Sequence, residues 1–282
     1  MLDILYEVLS NNEDFSLSAQ DCARIISVLL NVNKDDLSQV IDTDSLEETY
    51  DYAYNNGIRI NEIIWQEYQD LDTTTDDMYL IHGSRSGIRG PIRLDVSGES
   101  NDFSNGFYCG TTIKQAGMFV ASEPEASLYI VSFNPKGLKA ARFNVDTDWM
   151  LAVAYYRDRI PEYANHPKVR AIINRVNKCD YVIAPIADNN MFEIIDAFTE
   201  GTITDKQCLY ALSTTNLGMQ YVFKKDRCLP HLEIIEHLYL CDSEKNDYQS
   251  LADIESSTSL NKALLAKKKF ADDGLYINEL LA

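Results

Sequence analysis

The chain has 282 residues, an ordinary hydrophobic fraction of 45% and a formal net charge of −19, which is length enough for more than one domain of ~100–200 residues. No run of about 18 apolar residues occurs, so neither a membrane-spanning helix nor a membrane partner is expected. The acid excess is concentrated in the first eighty residues, and such a surface repels a phosphate backbone at long range, although it leaves room for a local basic patch.

Residues 1–75 read as a helical N-terminal domain. Leu2, Leu5, Tyr6 and Leu9 fall at helix spacing, and the acids of Met1–Glu7 do not make the basic start of a secretory signal. Ser18 and Asp21 bracket an N-cap before Ala23–Leu30, and Ser45 with Glu48 has capping-box spacing before Tyr50, Ala53 and Tyr54. Gly57 can end that helix, and Ile60, Ile63, Ile64 and Tyr68 begin another stripe. The polar stretch Asp70–Asp77 reads as a linker.

Residues 76–241 change texture. Met78–Gly83 is a short strand followed by an irregular segment with Gly87, Gly90 and Pro91, and Gly106–Thr112 is glycine-rich and aromatic. Thr112 can cap a helix over Lys114–Glu123. Leu128–Phe133 and Leu138–Phe143 flank Pro135-Lys136-Gly137, a hairpin-like signature. Thr147–Arg159 reads as an amphipathic helix carrying Trp149, Leu151, Val153 and Tyr156. Strands are expected at Asp180–Ala187, Gly218–Phe223 and Leu232–Leu240, and helices at Met191–Phe198 and Asp205–Leu212. Strands and helices mix without regular alternation, which predicts α+β. Residues 242–282 read as a polar tail with a short helix near Leu260–Phe270 and the one contiguous basic run, Lys267–Lys269.

Six cysteines are scattered without a CxxC pair, and the four histidines do not join them, so no metal site is expected. The expectation is reduced thiols in a cytoplasmic protein. Three segments could carry chemistry. In Ile81-His82-Gly83-Ser84, an imidazole, an open backbone and a hydroxyl could meet the donors and acceptor of a carboxamide. Arg85 and Arg89 follow and could hold a pyrophosphate. In Asn105-Gly106-Phe107-Tyr108, strand alternation lets only one ring face a cleft, and Tyr108 could stack on a flat heterocycle or fill core. Asp102 could brace that loop. Gln220 heads Gln-Tyr-Val-Phe, and Asp188 stands where a strand opens into a loop, either as an acid or as a helix cap.

In order and spacing, these segments over roughly residues 78–233 resemble a bacterial family of unknown function related to ADP-ribosyltransferases of the His-Tyr-Glu type, with Gln at the acid position. The resemblance implies a split β-sheet with an added N-terminal helical domain, and NAD as substrate. It implies His82 on the ribose and carboxamide, with Gly83, Ser84 and Arg85 beside it. It also implies Tyr108 on the nicotinamide and Gln220 where a catalytic Glu would stand. The activity it implies is mono-ADP-ribosyl transfer to a macromolecular acceptor, protein favoured over nucleic acid, by a toxin, effector or phage-conflict protein. A silent NAD-binding module, whose acidic N-terminal domain carries the partner contact, and an NAD glycohydrolase are the competing readings. A neutral amide at 220 lacks the anionic charge that stabilises an oxocarbenium centre, a loss of ~2–4 kcal/mol unless another group such as Asp188 supplies it.

Overall fold

The computed structural model describes residues 16–72, 76–98, 101–187, 189–213, 218–270 and 273–282. The expected helix over Leu2–Leu9 therefore lies outside the described residues, as does Asp188. The protein is mixed α+β, and the chain divides into two compact units, each assembled from several segments. These segments do not follow breaks at residues 75 and 241.

The first unit comprises residues up to Arg89, Thr112–Asn134 and Leu232–Leu251. Its helices are α1 (Ala19–Leu29), α2 (Lys34–Leu37), α3 (Leu46–Asn55) and α4 (Ile60–Asp72). Ser18 caps α1 in a full capping box with Asp21. Ser45 caps α3, but the Glu48 carboxylate accepts from the Asp42 N–H at 2.9 Å instead of closing the box. Gly57 follows α3 at φ +81°, a left-handed conformation that costs glycine little. Strand β1 (Met78–Ser84) pairs antiparallel with β3 (Ser127–Phe133), which pairs antiparallel with β7 (Leu232–Tyr239). One core holds Ile26 and Cys22 of α1, Ile64 and Trp65 of α4, and Ile81, Leu128, Ile130 and Leu238 from a single sheet face.

The second unit comprises Gly90–Thr111, Pro135–His231 and Ala252–Ala282. Its strands are β2 (Phe107–Gly110), β4 (Ala140–Arg142), β5 (Tyr181–Pro185) and β6 (Met219–Phe223). β4 runs parallel to β5, while β5 with β6 and β6 with β2 are antiparallel. Helices α6 (Thr147–Tyr156), α7 (Pro167–Asn177), α8 (Asn189–Thr199) and α9 (Asp205–Ser213) belong here, and α5 (Ile113–Val120) belongs to the first unit. Two expectations are corrected. The turn at Pro135–Leu138 forms, with the Leu138 N–H on the Pro135 carbonyl at 3.1 Å, but its flanking strands do not make a hairpin. β3 takes β1 and β7 as partners, and β4 takes β5. Helix α6 is not amphipathic: Trp149 through Ala154 are all buried, as in a helix packed on every side. Helix α10 (Asp242–Lys269) is far longer than the short one expected near Leu260, and α11 (Ile277–Leu280) follows it.

Candidate functional site

In the second unit, β6 sets Gln220 opposite Ala184 of β5 on one side and Gly110 of β2 on the other. The side chain is 5% exposed. Its Nε2 donates to Asp102 Oδ2 at 2.6 Å and to the Pro185 carbonyl at 3.0 Å. Both amide hydrogens are thereby committed, and Oε1 accepts no hydrogen bond among the described residues. Asp102, 4% exposed, is the hub of this cluster. Besides Gln220 it accepts from the Ala187 N–H at 2.9 Å and from the Arg157 guanidinium at 2.5 Å. Arg157 closes α6 and donates as well to the Ala187 carbonyl at 3.0 Å. Burial lowers the Arg157 pKa while the Asp102 charge opposes that fall. The acid beside Gln220 is thus neutralised within the fold.

Tyr108 lies on β2 two residues before Gly110. Its phenol donates to the Ser104 carbonyl at 2.5 Å and accepts from the Phe103 N–H at 3.2 Å. Burial pushes its pKa well up, so the phenol stays protonated. Ser104 has φ +60°, a left-handed turn held by these bonds. Lys224 donates to the carbonyls of Phe103 and of Asn105, the latter at 3.1 Å, and burial lowers its pKa to about 8. Gly106 has no room for a side chain: a Cβ would stand 2.8 Å from the Phe223 carbonyl oxygen. Phe103 to Gly106, just before β2, are held by these bonds and by the Gly106 N–H on Ser97 Oγ at 2.9 Å, and Asp102 anchors the start of the segment. Phe107 is buried against Phe223 while Tyr108 is half-buried, the alternation of a strand.

In the first unit, His82 of β1 stands opposite Tyr129 of β3, and Tyr129 stands opposite His237 of β7. The three rings form a row across the strands, 6.4 Å and 4.9 Å between centroids, the second pair stacked. The Tyr129 hydroxyl accepts the Ile88 N–H at 2.9 Å, which ties down the segment after β1. Burial lowers the His237 pKa, keeping that ring neutral. Gly83 answers to packing: a Cβ there would meet the Ala116 carbonyl oxygen of α5 at 2.8 Å and Val120 Cγ1 at 3.0 Å. Ser84 ends β1 half-buried. Arg85 is exposed, with its guanidinium 4.8 Å from the centroid of Phe119, a ring that is itself 59% exposed. Arg89 pairs loosely with Glu125 at 4.0 Å.

The expected residues therefore fall into two sets. His82, Gly83, Ser84 and Arg85 follow one another in the first unit, and Tyr108 and Gln220 occupy neighbouring strands of the second. Sequence reasoning missed Arg157, Lys224, Tyr129 and His237, none of which sits in a recognisable motif. Among the described residues no group of three or more His, Cys, Asp and Glu could hold a metal ion, and no helix is long and apolar enough to cross a membrane.

What these features define is a mixed α+β protein with two sheet-bearing units and a buried Asp–Arg–Gln cluster. The chain belongs to the family described as a protein of unknown function (DUF3990), whose model matches residues 78–234. No curated protein and no solved structure matches it.

Proposed function

We propose that this chain is a mono-ADP-ribosyltransferase that binds NAD, breaks the nicotinamide–ribose bond and transfers ADP-ribose to a macromolecule. The reading joins the order of the His82, Tyr108 and Gln220 segments to an ADP-ribosyltransferase-like split sheet with an added N-terminal helical domain. The observation that carries it is the setting of Gln220. Asp102 and Pro185 hold its amide rigid through both N–H bonds, leaving one fixed carbonyl oxygen. A preorganised acceptor of this kind suits a ribose hydroxyl. Nicotinamide leaves with the bonding electrons, positive charge develops on the ribose carbon, and the acceptor nucleophile bonds there and sheds its proton. Gln220 supplies a dipole where related chemistry uses a charge, so the chemical step is expected to be ~10²–10³ slower than with a free carboxylate.

One observation favours a second reading, a silent NAD-binding module. Asp102 is the carboxylate in contact with Gln220; Arg157 already balances its charge, and the Ala187 N–H donates to it as well. Isotope-labelled NAD in cell lysate separates the readings. Label on macromolecules with the wild type, lost in His82→Ala, supports transfer. Nicotinamide release without label assigns a glycohydrolase. Binding in an NAD titration without release assigns the silent module, and no binding at all overturns all three.

A further inference from the structure

We infer that the β4 edge of the second unit is a nucleic-acid-binding surface that engages the phosphate backbone. The inference does not rest on the NAD reading.

Ten of the chain's 25 Lys and Arg residues fall within segments 136–142, 168–180 and 224–227, against two acids there, Asp180 and Asp226. That density is the reverse of a chain with 44 acids and a net charge of −19. The fold brings the three segments together. Arg142 of β4 pairs with Ile183 of β5, and the Asp180 N–H donates to the Lys139 carbonyl at 2.7 Å. The Lys224 N–H donates to the Asp180 carbonyl at 3.2 Å, and Arg227 donates to the Gly137 carbonyl at 2.8 Å. Arg175 of α7 donates to the Arg142 carbonyl and lies 4.1 Å from the Phe143 ring centroid.

Asp180 is the pin beneath this surface. It is 4% exposed, accepts the Lys139 N–H at 2.8 Å, and lies 3.9 Å from Lys225 Nζ and 3.8 Å from an Arg227 nitrogen. Its charge is used inside the cluster, while Lys136, Lys139, Arg142, Lys178 and Arg227 of the same three segments are exposed. Acids at the rim include Asp226, which is exposed, Asp146, which caps α6, and Asp148, 3.6 Å from Arg175.

The surface distinguishes between polyanions. An acidic protein partner needs an apolar or aromatic centre to bind firmly. Around these segments the one exposed large hydrophobic residue among those described is Val145, at 37%. A cationic, polar face without an apolar centre matches a phosphate backbone, whose interfaces are wet, polar and strongly positive. The acidity of the chain elsewhere repels the same polyanion and confines it to this edge.

The test is fluorescence anisotropy of a labelled 20-nucleotide DNA, single-stranded and duplex, with full-length protein across a salt series. Four cations on phosphates give a log K against log salt slope of about −3 to −4. Lys136→Glu/Lys139→Glu/Lys178→Glu should weaken binding at least about tenfold and flatten the slope by about 2–3. Circular dichroism checks its fold. If the reversal fails to fold, Lys→Gln at the same three positions reads the same loss. Three results would overturn the inference: no binding at low salt, an affinity and slope unchanged in the folded variant, or poly-glutamate bound more tightly than either DNA.

Discussion

Glu244→Gln probes a pH dependence built into the first unit. Glu244 is 4% exposed and accepts from Asn61 Nδ2 at 2.8 Å and from the Tyr248 hydroxyl at 3.3 Å. Burial pushes its pKa up to about 7 from an ordinary 4.5; the two hydrogen bonds oppose the rise, Glu62 adds to it and Arg59 works against it. In the unfolded chain the group ionises near its ordinary value. Between these two values the folded protein therefore keeps a proton that the unfolded chain has released. The stability this confers is complete below about pH 4.5 and is lost as pH rises through about 7. At pH 8 the gap between the two values corresponds to ~3.4 kcal/mol, an upper bound that relaxation of the site reduces to about 2. Gln keeps the shape, carries no charge at any pH, and keeps a carbonyl oxygen that can accept from Asn61 Nδ2 as Glu244 does. Urea unfolding should therefore find the variant within about 1 kcal/mol of wild type at pH 5 and about 2 kcal/mol more stable at pH 8. A variant that loses as much stability as wild type between those pH values, or is the less stable at pH 8, would refute the reasoning. Glu236, also 4% exposed and raised to about 7 by burial, should add a similar dependence.

Gln220→Glu sets a second carboxylate against Asp102. It should destabilise the second unit by about 1–3 kcal/mol at pH 8 and recover at pH 5, where one acid can protonate; an undiminished melting temperature at pH 8 would contradict the cluster. Tyr108→Phe removes the phenol from Ser104 and Phe103 and should cost about 1–2 kcal/mol in chemical denaturation, with far-ultraviolet circular dichroism unchanged. Gly83→Ala drives a methyl against the Ala116 carbonyl and should cost about 1–3 kcal/mol; a neutral result would mean that α5 gives way freely.

Local chemistry was legible in the sequence. Ser18 with Asp21, and Thr112, whose hydroxyl accepts the Gln115 N–H at 3.4 Å, cap helices because each device lies within four residues. Helix α7 was legible but missed: Pro167 opens it and its buried Val169, Ile172 and Val176 are helix-spaced. The burial of helix α6 was legible too: Trp149 to Ala154 is an unbroken apolar run, which marks a helix packed on every side rather than an amphipathic one. The other misreadings needed distant partners. The turn after β3 forms whether or not its flanks pair, and only the choice of β5 by β4 removes the hairpin. The setting of Gln220 lay beyond reach for the same reason. Its partner Asp102 is 118 residues away, and Arg157, 55 residues from Asp102, belongs to no motif. Gly83 reads in the sequence as an opening for a ligand because sequence does not say which neighbour fills the space of a missing side chain, here Ala116 and Val120.

The span that defines the family is not a unit that could be cut out and kept. Residues 78–234 stop within β7, after its third residue, and leave behind the helices α1, α3 and α4. Ile81, Leu128 and Ile130 would then lose Ile26, Ile64 and Trp65, which share their core. A polypeptide trimmed to those limits would present a bare oily sheet face and only three of the eight residues of β7, a template for self-association. In this chain, then, the helices that precede residue 78 are part of what keeps that sheet face covered.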